Sequence, residues 1–123
     1  MNKFLDIKGD ERGIFVEVFK IPGVGQASYS TTKRRGIVRG NHYHTHKIEL
    51  FCVIEGEAKI RLRNRADNEI REYIVSGEKP ELVEMIPNWT HNIENVGEGE
   101  MKLLIWANEV FDPQNPDTFA EVV

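Results

Sequence analysis

The sequence predicts an all-β fold with little or no helix. Short segments alternate apolar and polar side chains with a period of two, and turn residues interrupt them roughly every 8–12 residues. The alternation is clearest at 58–63, where Ala58, Ile60 and Leu62 share one face and basic side chains share the other. No segment shows the 3.6-residue period of an amphipathic helix. These observations together predict a β-sandwich or β-barrel.

The predicted strands lie at 14–19, 26–32, 50–54, 58–63, 70–75, 81–86, 90–94 and 101–106, with a short extended piece between Gly36 and Gly40. The run 50–54 is apolar on both faces, which is typical of a strand covered on both sides. After Asn108 the segment D-P-Q-N-P-D excludes a helix because of its two prolines. We therefore expect an extended C-terminal arm at about 108–123, lying over the domain or across to a partner.

Length and charge limit the possible functions. With 123 residues, the chain is predicted to form a single domain, 1–123. A net charge of −4 with no basic stripe argues against nucleic-acid binding, and no apolar run is long enough for a membrane span. The first residues lack the apolar core of a secretory signal, so a cytoplasmic location is expected. Cys52 stands alone, which excludes an internal disulfide and a thiolate zinc site.

The four histidines are concentrated at two points of the chain. His42, His44 and His46 fall within five residues, Glu49 follows them, and His91 lies far downstream. Side chains two apart on a strand share a face, so His42 and His44 are able to hold one metal ion. Three imidazoles and a carboxylate suit Zn, Fe, Mn or Ni. We therefore predict that a divalent metal ion binds His42, His44, Glu49 and His91.

These residues fit a known pattern. The spacing Gly36-(X)5-His42-X-His44-(X)4-Glu49-(X)6-Gly56 resembles the first cupin motif at every position. Gly77, I-P-N-W-T at 86–90, His91 and Asn95 resemble the second motif, with Asn88 in a glycine position and Ile86 in a proline position. Asparagine tolerates a left-handed backbone, so the Asn88 departure is physically mild. The resemblance implies a single cupin (jelly-roll) β-barrel.

A closer resemblance concerns function. D-E-R-G-I-F-V-E at 10–17 and R-G-I-V-R-G-N-H-Y at 35–43 resemble segments of the dTDP-4-dehydrorhamnose 3,5-epimerases. The stretch 28–119 is similar to the C-terminal cupin domain of bifunctional capsular-polysaccharide enzymes that make UDP-N-acetyl-L-fucosamine. That resemblance implies C3 epimerisation of a UDP-linked 4-keto-6-deoxy-hexosamine, and we expect a homodimer. The chain has no room for the reductase domain of that family, so we expect either that a separate reductase acts with it or that its product goes elsewhere.

The resemblance also implies roles for particular residues. Positions that bind the nucleotide-sugar in the rhamnose epimerases, some of them from the neighbouring subunit, match Arg12, Phe15, Glu17, Gln26 and Arg39. His42 matches a general base in that family and a zinc ligand in the capsular family, and the presence of the other three ligands favours the ligand role. From the residues alone, His46 and Lys47 are acid/base candidates, with simple solvent exposure an equal alternative. Trp89 could stack on a uracil or sugar ring or simply pack at the barrel mouth.

Two other functions stay open. A cupin of this size could interconvert 3- and 4-keto groups of a dTDP-4-keto-6-deoxy sugar, because that reaction also begins at the C3 proton. A non-catalytic sugar-binding or structural cupin would keep the metal only to stabilise the barrel.

Overall fold

A computed structural model describes all 123 residues and contains eleven β-strands and no helix. The strands are β1 Lys8–Asp10, β2 Gly13–Ile21, β3 Gly25–Thr32, β4 Val38–Tyr43, β5 Glu49–Glu55, β6 Glu57–Asn64, β7 Ile70–Ser76, β8 Val83–Met85, β9 Trp89–Asn95, β10 Met101–Ala107 and β11 Phe119–Ala120. With no helix present, none of the elements is a helix that could cross a membrane.

The strands form two antiparallel sheets, one of six strands in the order β1-β2-β3-β10-β5-β8 and one of five in the order β11-β4-β9-β6-β7. Alternating residues of both sheets form one apolar core, which includes Phe51, Ile60, Met85, Ile93 and Leu103. The alternation at 58–63 lies as predicted, with Ala58, Ile60 and Leu62 buried. The prediction of an all-β jelly roll is confirmed.

The strand boundaries differ from the prediction where proline or long-range pairing decides them. The predicted strand 81–86 shortens to Val83–Met85, because Pro80 and Pro87 flank it and proline has no N–H to donate to a ladder. β4 begins within the predicted extended piece and continues to Tyr43, through the first histidine. The short strands β1 and β11 were not predicted, since two or three residues carry no readable period.

The prediction that 50–54 is covered on both faces is wrong. Phe51 and Val53 are buried in the core, whereas Ile54 is 51% exposed on the opposite face. Leu104 of the neighbouring β10 is similarly open, at 47%. The outer face of the six-stranded sheet is thus apolar without being covered by its own chain.

The C-terminal residues 108–123 lie against their own domain. They cross from the end of β10 to the five-stranded sheet, where Phe119 pairs with Tyr43 and Ala120 with His42. The backbone N–H of Glu121 donates to the carbonyl of Asn41, and the N–H of Val123 donates to the Asn41 side chain. The end of this segment therefore borders the histidine-bearing strand.

Candidate metal centre and adjoining cavity

Four potential metal ligands meet between the two sheets. His42 lies on β4 opposite His91 on β9, His44 follows the end of β4, and Glu49 begins β5. Nitrogen and carboxylate oxygen atoms of the four side chains all lie within 4.8 Å of one another. A β-bulge in β4, with Asn41 at φ 59°, sets the direction in which the strand presents His42. The structure thus brings together the four predicted ligands from three separate parts of the chain.

The contacts within this group are short. The Nε2 of His44 lies 2.7 Å from Glu49 Oε1, and the Nε2 of His91 lies 3.7 Å from the same oxygen. The His42 ring centroid is 5.2 Å from that of His44 and 4.7 Å from that of His91. Three imidazoles and one carboxylate oxygen therefore surround a common point, which is the donor set of a cupin-type metal site.

His91 gives the sharpest test of whether a cation fits. Its side chain is almost fully buried, and neither ring nitrogen has a hydrogen-bond partner. Buried polar atoms are nearly always satisfied, so two orphaned nitrogens beside a carboxylate indicate a missing partner. Burial, together with the neighbouring His42, lowers the pKa of His91 to about 3. The ring is therefore neutral near pH 7 and has a lone pair to give to a metal.

The other ligands have suitable protonation states. Burial lowers the pKa of His42 to about 4, helped by the nearby His44 ring, so His42 is neutral too. Burial alone would raise the pKa of Glu49, but the hydrogen bond from His44 and the adjacent imidazoles outweigh it and lower that pKa. At neutral pH the site consequently offers neutral imidazoles at His42 and His91 and an ionised carboxylate at Glu49.

The metal group forms part of the wall of a cavity of about 290 Å³. Five further residues predicted from the resemblance or the histidine segment also line it: Phe15, Glu17, Gln26, Arg39 and Lys47. Phe15 and Glu17 reach it from alternate positions of β2, as the period of two requires. The cavity thus has a polar end at the ligands and a mixed wall on the six-stranded sheet.

Two basic residues of the cavity are held in place by hydrogen bonds to backbone carbonyls. Arg39 Nη1 donates to the carbonyls of Ile14 and Thr31, at 3.1 and 2.8 Å, and burial lowers the pKa of its guanidinium. Lys47 is buried, and its ammonium group donates to the carbonyl of Pro116 at 3.3 Å without pairing to any carboxylate. Both side chains thus bring positive charge to the cavity.

The side-chain amide of Gln26 is hydrogen-bonded within the chain. Its Nε2 donates to Ser28 Oγ at 3.1 Å, and its Oε1 accepts from the backbone N–H of Phe111 at 3.0 Å. The amide is therefore engaged in holding the C-terminal segment against β3, although the side chain lines the cavity.

Three predicted site residues do not line the cavity. Arg12 is exposed and pairs with Asp10 at 2.8 Å, because the turn between β1 and β2 places the two side by side. His46 is also exposed, with its Nδ1 3.1 Å from Glu109 Oε2. Trp89 packs against the edge of the core under the guanidinium of Arg71, 4.9 Å from its ring, as the packing alternative predicts.

Sequence reasoning missed several residues that the fold brings to the site. Ser28 and Ser30 line the cavity from β3, and their polar alternation with Gln26 was a readable signal. Lys8 reaches the cavity because β1 pairs with β2, opposite Phe15. Asp117, whose carbonyl oxygen is 2.6 Å from His44 Nδ1, gave no local signal because it lies 73 residues away.

An antiparallel double-sheet barrel with these ligands on and beside β4, β5 and β9 defines the chain as a cupin. The sequence profile of the polysaccharide biosynthesis C-terminal domain family matches residues 8–119. The chain belongs to that family.

Comparison with individual proteins agrees with this assignment. The chain is 49% identical over 111 residues to the UDP-2-acetamido-2,6-beta-L-arabino-hexul-4-ose reductase of Pseudomonas aeruginosa, covering 90% of this chain and 30% of that protein. It superposes on the crystal structure of the capsular polysaccharide assembling protein CapF from Staphylococcus aureus with a TM-score of 0.94 and 45% identity, over 99% of this chain and 35% of CapF. The chain thus spans about a third of the length of these relatives.

More distant structures share the fold alone. The oxalate decarboxylase of Bacillus subtilis superposes with a TM-score of 0.77 at 19% identity, covering 94% of this chain and 30% of that enzyme.

Proposed function

We propose that this chain is a metal-dependent C3 epimerase of a UDP-linked 4-keto-6-deoxy-hexosamine in capsule or O-antigen sugar biosynthesis. The observation that carries the proposal is the convergence of His42, His44, Glu49 and His91 on the wall of a cavity that also holds basic side chains. The similarity to an enzyme named for a UDP-linked hexulose and to a capsule assembling protein supports the substrate class.

The chemistry requires a group that removes the C3 proton and another that returns a proton on the opposite face. A 4-ketone acidifies that proton, and the resulting enolate oxygen must be stabilised. A divalent metal held by the three imidazoles and Glu49 would supply Lewis-acid stabilisation of that oxygen. Zn suits this donor set, as do Fe, Mn and Ni.

Lys47 is the cavity residue best suited to proton transfer. Its ammonium is buried and unpaired by any carboxylate, and its backbone lies between the ligands His44 and Glu49. We assign its ammonium to stabilise the negative charge of the enolate and to donate the proton that returns to C3, with water on the other face accepting the proton that leaves C3. His46 is left out of this step because its side chain does not line the cavity and its ring pairs with Glu109.

The nucleotide end of the substrate needs positive charge for its diphosphate. Arg39 and Lys8 reach the cavity from neighbouring parts of the fold, and a guanidinium fixed by two carbonyls is preorganised for phosphate oxygens. Phe15 offers an apolar surface and Glu17 an acceptor for a hydroxyl or amide of the substrate. A separate reductase acting on the product would complete the sequence of reactions.

The test is exchange in deuterated water. Purified, metal-loaded protein is incubated with UDP- and dTDP-linked 4-keto-6-deoxy sugars, and the products are followed by NMR and mass spectrometry. Deuterium at C3 with a retained C4 ketone supports the epimerase, whereas a C3 ketone would establish the ketoisomerase instead. No exchange with any of the sugars would favour the non-catalytic cupin.

Two variants locate the proton transfer. Lys47→Gln is expected to slow exchange at least about 100-fold, the usual contribution of a positioned acid or base. His46→Gln, a change next to it in sequence but outside the cavity, is expected to exchange at the rate of the unmodified protein. Equal losses in both variants would contradict the assignment to Lys47.

A further inference from the structure

Asp117 is a buried carboxylate of the C-terminal segment that binds the loop between two metal ligands. Its Oδ1 accepts hydrogen bonds from the Thr45 N–H and hydroxyl, at 2.8 and 2.5 Å. Its Oδ2 accepts from the N–H groups of His46 and Lys47, both at 2.9 Å. The residue is only 3% exposed. Three consecutive backbone N–H groups and one hydroxyl are thus fixed by a single side chain.

The loop that Asp117 fixes is the connection between His44 and Glu49. These two ligands lie five positions apart, and residues 45–47 are the part of that connection nearest to His44. A shift of this loop would move the His44 Nε2 relative to Glu49 Oε1, which is now 2.7 Å away. The Asp117 carboxylate therefore affects the distance between His44 and Glu49 without being a metal ligand itself.

The backbone of the same residue acts on His44 directly. The carbonyl oxygen of Asp117 lies 2.6 Å from His44 Nδ1. A carbonyl can only accept, so Nδ1 carries a hydrogen, and Nε2 is the nitrogen that faces the other ligands. Hydrogen bonding of the second ring nitrogen is the common way in which proteins orient a metal-binding histidine.

We propose that Asp117 is a positioning residue of the metal centre, holding the 45–47 loop with its carboxylate and orienting His44 with its carbonyl. The proposal rests on the metal centre of the proposed function. Asp117 adopts φ 47°, a conformation that aspartate, asparagine and glycine tolerate. Aspartate therefore suits this position both by its carboxylate and by its backbone conformation.

A second metal site at Asp117 does not account for its surroundings. His46, Glu109 and Asp117 lie close enough to hold an ion. Both oxygens of Asp117, however, already face N–H or O–H donors, which would point their hydrogens at a bound cation. The hydrogen bonds outweigh the effect of burial and keep the pKa of Asp117 well below its usual range. The carboxylate is therefore occupied by the donors of the loop.

The test measures Co²⁺ binding by titration and visible absorption in the full chain. Asp117→Asn tolerates the same backbone conformation but turns an amide NH₂ toward the loop donors. We expect Co²⁺ to bind about 10- to 100-fold more weakly, with a changed ligand-field spectrum, as for other losses of a group that supports a metal ligand. Asp112→Asn is the matched control, because Asp112 lies in the same segment and its side chain caps only the exposed Gln114 N–H.

A milder variant and an NMR measurement keep the proposal falsifiable. Thr45→Val removes only the hydroxyl donor to Asp117, and we expect it to weaken Co²⁺ binding several-fold while retaining the β-sheet circular dichroism. If Asp117→Asn does not fold, Co²⁺ binding by Thr45→Val tests the proposal in its place. Wild-type affinity and spectrum in every folded variant of the pair would overturn the proposal.

The proposed function and the role of Asp117 fail in different ways. Absence of Co²⁺ and Zn²⁺ binding by the unmodified chain would reject the metal centre itself. Nitrogen-15 NMR of the metal-free chain tests the orientation separately and is expected to show His44 protonated at Nδ1. A His44 ring that carries its hydrogen on Nε2 alone would overturn the role of Asp117 even if metal binds.

Discussion

At the scale of single residues, the unusual feature is a histidine buried with nothing to bind. Both ring nitrogens of His91 are shielded from water and neither makes a hydrogen bond of normal geometry; Glu49 Oε1 lies 3.7 Å from Nε2. Leaving a buried polar group unsatisfied costs about 1–3 kcal/mol, which a bound cation would recover. Its neighbours do have partners. His44 and Glu49 contact each other, and His44 also contacts the carbonyl of Asp117 and the hydroxyl of Thr118. The proposed metal centre explains why the fold keeps His91 at this position.

Removing one ligand should therefore remove the metal. The unmodified chain is expected to bind about one divalent ion, and His91→Ala or His44→Ala to lose it, because three remaining donors bind much more weakly than four. His46→Ala is the control and should retain the ion. Metal content measured by mass spectrometry after dialysis checks this, and metal-free wild-type protein after soaking would contradict the ligand assignment.

The depressed histidine pKa values predict acid sensitivity of the metal-free protein. His42 and His91 have folded pKa values of about 4 and 3, below the ordinary value of 6.5, so the unfolded chain binds more protons between these limits. Stability should be complete above about pH 7 and fall as the pH drops through 6.5 toward 4. We expect a loss of roughly 2 kcal/mol or more between pH 7 and pH 5.

Urea unfolding of chelator-treated protein at several pH values checks this expectation. The double variant His42→Gln/His91→Gln is the control, and its free energy of unfolding should vary much less over the same range. A wild-type stability that is flat from pH 7 to pH 5 would contradict the buried, neutral state of the two rings.

At the scale of elements, the turns carry as much specificity as the strands. Asn88 adopts φ 65°, a left-handed conformation, at the position where the cupin motif has glycine. This confirms that asparagine can take the place of glycine in this turn. The N–H of Asn88 donates to the carbonyl of His44, so the turn before β9 also supports the ligand segment. Glycine is needed at position 77, the first residue of the second motif, for a different reason: its Cα lies against the backbone of Ile54 and Glu55.

Gly77 therefore gives a stability prediction for this contact between β5 and the end of β7. A Cβ at this position would lie 2.5 Å from the carbonyl carbon and oxygen of Ile54, which backbone atoms cannot easily relieve. Gly77→Ala is expected to lower the free energy of unfolding by about 1–3 kcal/mol. Gly99→Ala is the matched control, since a Cβ there meets nothing within 4 Å. Thermal unfolding of both variants measures the difference, and equal midpoints would contradict the close approach.

At the scale of the whole molecule, the open face of the six-stranded sheet has a bearing on assembly. Ile54 and Leu104 are about half exposed, and Leu50, Cys52 and Trp106 lie beside them on β5 and β10. Contiguous apolar surface of this kind is typical of interaction sites. The homodimer expected from the family resemblance would have this face available as its interface.

Light scattering tests the assembly. We expect a particle of twice the 14.2 kDa mass of one chain. Leu104→Glu should shift it toward the monomer, because a charge would be buried between two sheets. Ile74→Glu, at a comparably exposed isoleucine on the five-stranded sheet, should leave the mass unchanged. A monomeric wild-type chain would reject the dimer, and a dimer resistant to Leu104→Glu would reject this face.

Local periodicity was enough to predict the all-β fold and most strand positions. Alternation of side chains is encoded within each segment, so the face shared by Ala58, Ile60 and Leu62 follows from the sequence. The same argument places His42 and His44 together, and the motif spacing adds Glu49 and His91. What periodicity cannot give is the partner of each strand, which depends on packing across the whole chain. The exposure of Ile54 was mispredicted for that reason.

The sequence by itself determined the class of fold and the group of four potential metal ligands, from which the chemistry is proposed. Only the tertiary structure decided what surrounds that group. It placed Lys8 rather than Arg12 at the cavity, turned His46 outward and occupied Gln26 with the backbone of Phe111. It also brought Asp117 to His44 from 73 residues away. Contacts between distant segments form because the folded chain satisfies its buried polar groups jointly, and no short stretch of sequence contains that information.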